Sequence, residues 1–270
     1  MALTPAQATL LERIKTEFTK EKVTTELHRR SVQSRIKLVS RWAMISRNMK
    51  KEEVSKDIPV DFTDIIRYAL HLPANVLLST DYIPSVVLLL SPSKSAEAEW
   101  AARALWDITT GNAACRDACV SAGAVPALVS LLASSKGTEA EQAAGALWNF
   151  VVGDATCQAA CVCAGAVPAL VRLLSSSKGW EAGWAARTLW SIAEGDAACA
   201  AACVSAGAVP ALVRLLSSRK NGEAWHAAKT LRCLVYNGYA TDVIPSIKTL
   251  LTRYDISQET KIYLSLYILP

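Results

Sequence analysis

From Asp154 to Gly195 the chain reads DATCQAACVCAGAVPALVRLLSSSKGWEAGWAARTLWSIAEG, and nearly the same text begins at Asn112 and again at Asp196. Pro126, Pro168 and Pro210 stand 42 residues apart, as do Gly123, Gly165 and Gly207, and Trp106, Trp148 and Trp190. The cysteine pairs Cys115/Cys119, Cys157/Cys161 and Cys199/Cys203 keep the same register. A fixed period of this length indicates stacked supersecondary units, none of which can bury its apolar face alone.

Each period spells three helices. Asp154 is a good N-cap for a short helix of about two turns, and Ala164-Gly165 supplies the left-handed residue of a sharp reversal. Pro168 sits near the start of the second helix, where a missing N–H costs nothing. Val167, Leu170, Val171, Leu173 and Leu174 give that helix a broad apolar face. Ser175-Ser176-Ser177-Lys178-Gly179 breaks the pattern, and a third helix runs from Glu181 to Ala193 with Gly195 closing it.

The string AGAVPALVRLLSSSKGWEAGWAARTLWSIAEGD resembles the armadillo repeat, a three-helix unit of about this period. It is similar to the repeats of vacuolar protein 8 and importin-alpha, and the likeness covers roughly Leu72 to the C-terminus. The resemblance implies an all-α, right-handed superhelical solenoid whose concave groove, lined by the third helices, holds extended partner segments. Repeats are expected at 72–111, 112–153, 154–195 and 196–238, with a partial C-terminal unit at 239–270. Val243-Ile244-Pro245 would restart the motif after a shortened first helix. The last unit reads either as a cap or as the point where a longer array was cut.

Composition agrees with an ordered helical protein, because 51% of the residues are hydrophobic and no low-complexity tract interrupts them. Charged residues scattered through the first twenty argue against a secretory signal. Ser85–Leu90 is too short to cross a bilayer. A cytoplasmic or nuclear protein with reduced thiols is expected. Residues 1–60 hold 13 Lys/Arg against 7 Asp/Glu, whereas 61–270 hold 16 against 17. The positive charge is thus an N-terminal property. Leu10, Leu11, Ile14 and Phe18, then Val32, Ile36, Val39 and Trp42, mark a basic helical extension over 1–60. It reads as a solvated cap on the open end of the solenoid, in preference to a membrane- or nucleic-acid-binding element at residues 29–51.

Six cysteines in equivalent places invite a metal reading, but neighbouring repeat helices lie about 8–10 Å apart, too far for four thiolates to meet one zinc. Packing as small hydrophobes is the expected role. His28, His71 and His226 fall into no ligand or catalytic spacing, and the glycines are helix terminators with no phosphate loop among them. No enzyme activity, cofactor, metal or small-molecule substrate is expected.

By the armadillo resemblance, the third helices carry the binding columns. The column that is often Asn reads Asp107, Asn149, Ser191 and Cys233. One turn earlier stand Arg103, Gly145, Arg187 and Lys229, and three residues before those Trp100, Gln142, Trp184 and His226. These positions share one helical stripe. An importin-alpha groove takes basic signals on stacked Trp faces with acidic neighbours. Here Arg and Lys stand beside Trp, a pattern suited to an extended, acidic or mixed protein segment. Trp100 and Trp184 would then be anchors, with charge from Arg103, Arg187 and Lys229. The bland alternative is that the same residues merely cover and solvate the helix surface. Trp106, Trp148 and Trp190, about 100° around the helix, are expected to pack between third helices. A scaffold or adaptor is the leading function; a nuclear transport adaptor of importin-alpha type is the second.

Overall fold

The computed structural model describes residues 77–78, 82–90, 95–134, 137–176, 180–218, 221–253 and 258–268. The basic extension over 1–60 lies outside them. The described helices are α1 (Tyr82–Leu89), α2 (Ser95–Thr109), α3 (Ala113–Ser121), α4 (Ala124–Ser134), α5 (Thr138–Val151), α6 (Ala155–Cys163), α7 (Ala166–Ser176), α8 (Trp180–Ala193), α9 (Ala197–Ser205), α10 (Ala208–Leu215), α11 (Asn221–Tyr236), α12 (Ala240–Arg253) and α13 (Gln258–Tyr267). No strand occurs among the described residues. The chain forms two compact units, Met1–Ala127 and Leu128–Pro270, the division falling within α4.

Local chemistry sets the helix ends. Asn112, Asp154 and Asp196 hold extended backbone and accept the N–H of the residue three places on, Cys115, Cys157 and Cys199, at 3.0, 2.9 and 2.7 Å. That bond satisfies one of the orphan donors of a first turn. The Asp196 carboxylate is drawn below its ordinary range chiefly by the Cys199 N–H. Its stabilising contact is therefore complete at neutral pH and lost as acidification protonates it. At the other end of these short helices, Gly123, Gly165 and Gly207 take φ of 81°, 80° and 77°, a conformation in which a Cβ would be strained.

Gly195 closes α8, as expected, but by a different constraint from its counterparts. Its φ is not positive, unlike that of Gly111 and Gly153, so it is no left-handed helix terminator. A Cβ there would lie 2.5 Å from Gln158 Oε1. A larger residue would displace the Gln158 amide and press on the Ile192 carbonyl, 3.1 Å from the same Cβ. Gln158 is buried and donates through Nε2 to the carbonyls of Val151 at 3.0 Å and Ser191 at 2.9 Å, tying the ends of two third helices together. The corresponding places in the other repeats hold Arg116 and Ala200, so the arrangement belongs to this repeat. The last unit differs too. Its expected short first helix does not form separately, and α12 runs unbroken through Pro245.

In the first unit, Tyr82, Ile83, Val86 and Leu89 of α1 are buried, together with Ala101, Ala102 and Leu105 of α2 and Cys115 and Cys119 of α3. In the second unit α5, α8 and α11 pack side by side. Alanine recurs on their buried faces: Ala140, Ala143 and Ala144, then Ala182, Ala185 and Ala186, then Ala224, Ala227 and Ala228. Small side chains let the backbones approach closely. Thr188 Oγ1 consequently reaches the Ala144 carbonyl at 2.9 Å, and Thr230 Oγ1 the Ala186 carbonyl at 3.2 Å. Behind them the second helices supply the larger apolar residues Leu128, Leu131, Leu132, Leu170, Leu173, Leu174 and Leu212. Arg172 and Arg214 each reach back one repeat and donate through Nη2 to the carbonyl of Leu132 at 2.9 Å and Leu174 at 3.0 Å. These carbonyls belong to the last turn of a helix, where no intrahelical donor remains.

The cysteines pack as small apolar residues. Cys115, Cys119, Cys157, Cys161, Cys199, Cys203 and Cys233 are buried, and Cys163 is exposed. Burial is the first cause that pushes the Cys119, Cys161 and Cys203 thiols up to about 12, with neighbouring thiols adding to it. The thiolate is the reactive form, so these three should not react with an aromatic disulfide reagent at neutral pH until the chain is unfolded. Cys163 should be labelled in the native state. Mass spectrometry of labelled peptides checks this; native labelling of Cys161 or Cys203 would contradict the packing.

Candidate functional site

In the first unit, Trp100 is half-buried on α2, three residues before Arg103. Arg103 Nε donates to Asp107 Oδ2 at 3.0 Å, and its guanidinium lies 5.4 Å from the Trp106 ring centre. An exposed pair one turn apart on a helix contributes little stability. Its effect is local neutralisation: Asp107, singled out as a partner contact, occupies the guanidinium of Arg103.

The second unit is different. The α5, α8 and α11 stripe repeats one motif with a shift of one period. Trp148 of α5 faces Trp184 of α8, ring centres 6.0 Å apart, and the Arg187 guanidinium stacks 3.7 Å above Trp148 and 5.0 Å from Trp184. One repeat on, Trp190 of α8 faces His226 of α11 at 6.4 Å, and Lys229 Nζ lies 4.1 Å above Trp190 and 5.0 Å from Trp225. Trp225 in turn meets Tyr263 of α13 edge-on at 4.9 Å. Trp148 and Trp190 thus pack between third helices, as their angular position on the helix implied.

The geometry arises from spacing. Trp184 and Arg187 are three apart, and Trp225 and Lys229 four apart, so each cation overhangs a ring of its own helix. The second ring comes from the preceding third helix, brought near by the alanine interface. Two aromatic faces hold each cation by the ring quadrupole, worth about 0.5–2 kcal/mol depending on desolvation.

Arg187 and Lys229 make no ion pair among the described residues; their neighbours are rings. The Nε of Arg187 is buried against the stack without a hydrogen-bond partner among the described residues. Burial lowers the Arg187 pKa somewhat, which leaves a guanidinium charged at neutral pH. Gly145, the equivalent place on α5, brings no charge.

Three of the sequence-derived contacts sit deeper. Gln142, Asn149 and Ser191 are 8%, 3% and 2% exposed. The Ser191 carbonyl is taken by Gln158, and Gln142 Oε1 is buried with no hydrogen-bond partner among the described residues. The stripe that remains accessible is therefore Trp148, Trp184, Arg187, Trp190, His226 and Lys229, all half-buried, with Trp225 more exposed. Sequence reasoning named four of these. It passed over Trp148 and Trp190 as ligands, and it missed Trp225; the signal for Trp225 was its position four residues before Lys229.

Among the described residues no group of three or more His, Cys, Asp or Glu side chains is arranged to hold a metal ion. No single described helix is long and apolar enough to cross a membrane.

The armadillo/beta-catenin-like repeat matches residues 112–152. None of the curated proteins compared matches the chain. Among solved structures, an engineered protein is 28% identical over 87% of this chain and 93% of its own, with a TM-score of 0.63. A designed armadillo repeat protein is similar over 88% of this chain and 98% of its own, at 18% identity and a TM-score of 0.66. Another, solved in complex with the peptide (KR)4, is similar over 87% of this chain and 97% of its own, at 18% identity and a TM-score of 0.63.

Proposed function

We propose that this armadillo-type repeat chain is a binding scaffold without catalytic turnover, and that the α5–α8–α11 stripe holds an extended, acidic or mixed segment of a partner protein. The observation that carries the reading is the pair Arg187 and Lys229, each fixed on aromatic rings, with no ion pair to either among the described residues. A cation held in place by rings has already lost most of its rotamer freedom, so an incoming carboxylate meets an ordered donor. Trp184 and Trp225 add apolar area beside each charge, and Trp and Arg commonly dominate interface energies.

The similar designed armadillo repeat protein was solved in complex with the peptide (KR)4, which supports a peptide as the kind of ligand proposed here. The charge of the stripe points to the opposite kind of sequence. Fluorescence anisotropy with a labelled alternating Asp/Glu octapeptide and its Lys/Arg counterpart tests this. The acidic peptide should bind, and its affinity should fall as salt is raised from low to physiological strength. Preference for the basic peptide would reject the reading.

A further inference from the structure

One rung of the stripe carries a titratable ring where its neighbour does not. Where Trp184 faces Trp148, His226 faces Trp190, and His226 is the one ring there that can gain a proton near neutral pH. Its Nδ1 lies 2.7 Å from the Gly222 carbonyl. A carbonyl only accepts, so Nδ1 carries the hydrogen of the neutral ring and Nε2 is left as a bare lone pair. Protonation at Nε2 would turn that acceptor into a donor with a positive charge.

In the free protein this is opposed. Burial is the first cause that holds the His226 pKa below its ordinary 6.5; the bond to Gly222 works against the depression, and the positive charges of Arg187 and Lys229 add to it. Among the described residues, α8 contributes Arg187 and α11 itself contributes Lys229. Among the described residues, none on α9, α10, α12 or α13, which also pack on α11, adds to this shift. The repulsive part of the cost of a third positive charge is offset once an anion sits on the other two, and the anion itself favours the charged ring.

We infer that His226 is a proton-linked contact for the acidic partner: a carboxylate-bearing segment held by Arg187 and Lys229 draws one proton from solution onto Nε2, so that the segment binds more tightly as pH falls. The inference rests on the function proposed above and names a residue and a regulation for that same stripe. No bond other than N–H is made, and the proton comes from the buffer. Reciprocity requires that the bound peptide raise the affinity of His226 for its proton by the same factor that the proton raises the affinity for peptide.

The test is anisotropy with the alternating Asp/Glu octapeptide at about pH 7.5 and about pH 5.5, a range in which its carboxylates stay ionised. The wild-type chain should bind roughly tenfold more tightly at the lower value, the order expected for linkage to one proton over this range. His226→Gln should flatten the dependence, and so should His226→Trp, which restores the ring found one repeat earlier. NMR of the His226 ring should show its titration midpoint moving up when peptide is added. An equal pH dependence in both variants and the wild type, or an unmoved midpoint with peptide bound, would overturn the assignment while leaving acidic-peptide binding intact. Failure of the octapeptide to bind at either pH would overturn both.

Discussion

The double variant R187E/K229E should bind the alternating Asp/Glu octapeptide about a hundredfold more weakly than the wild-type chain, and it should gain measurable affinity for the Lys/Arg counterpart. Reversal replaces two attractions by two repulsions, and each reversed residue is worth about 1–2 kcal/mol in all, so the pair amounts to about a hundredfold. The gain for the opposite peptide is the diagnostic half of the result, because simple damage to the protein weakens every ligand. Some damage is expected. Arg187 and Lys229 lie on the faces of Trp148 and Trp190, and a carboxylate over a ring face is unfavourable, so about 1–2 kcal/mol of stability should be lost as well. A thermal melt alongside the binding curves separates the two effects. Unchanged affinity for the acidic octapeptide in a folded double variant would mean that the partner, if acidic, binds elsewhere.

Leu170→Ala should cost about 2–5 kcal/mol in unfolding free energy, measured by urea titration. Leu170 is fully buried on the inner face of α7, and its equivalents Leu128 and Leu212 are equally buried. The loss combines the transfer term of the removed methyl groups with a cavity that the packed surroundings cannot close. Leu170→Met, which preserves volume, should cost less than about 1.5 kcal/mol. Each repeat is stabilised mainly by its neighbours, so a damaged middle repeat should also broaden the transition by uncoupling the units on either side. A loss below about 1 kcal/mol would show that this position is not where the repeat makes its core.

Much of this architecture was legible before any coordinates. Capping by Asn112, Asp154 and Asp196 and the reversals at Gly123, Gly165 and Gly207 depend on residues adjacent in sequence, and they occur as read. Gly195 ends its helix where the sequence places the end, but its own constraint comes from Gln158, 37 positions away, which its column shared with Gly111 and Gly153 does not reveal. The missing break before Val243 follows from the lack of the Ala-Gly reversal that the other repeats place there. For the stripe, the overhang of Arg187 on Trp184 was readable as helical spacing. Its closer contact, with Trp148, was not, because it depends on the rotation of one third helix against the next. Burial of Asn149 and Gln142 escaped for the same reason: a column of equivalent residues specifies an angle around a helix, and depth depends on how near the adjacent alanine face comes.

The guanidinium clasps of Arg172 and Arg214 on the carbonyls of Leu132 and Leu174 give the array a direction. Each module can hook the one before it only if it brings an arginine, and the module that carries Ser130 in that place has no such hook to offer. The three near-identical blocks are consequently not interchangeable beads: transplanting the Ser130 block downstream would leave a frayed end unclaimed, whereas duplicating either arginine block would extend the row by a full link.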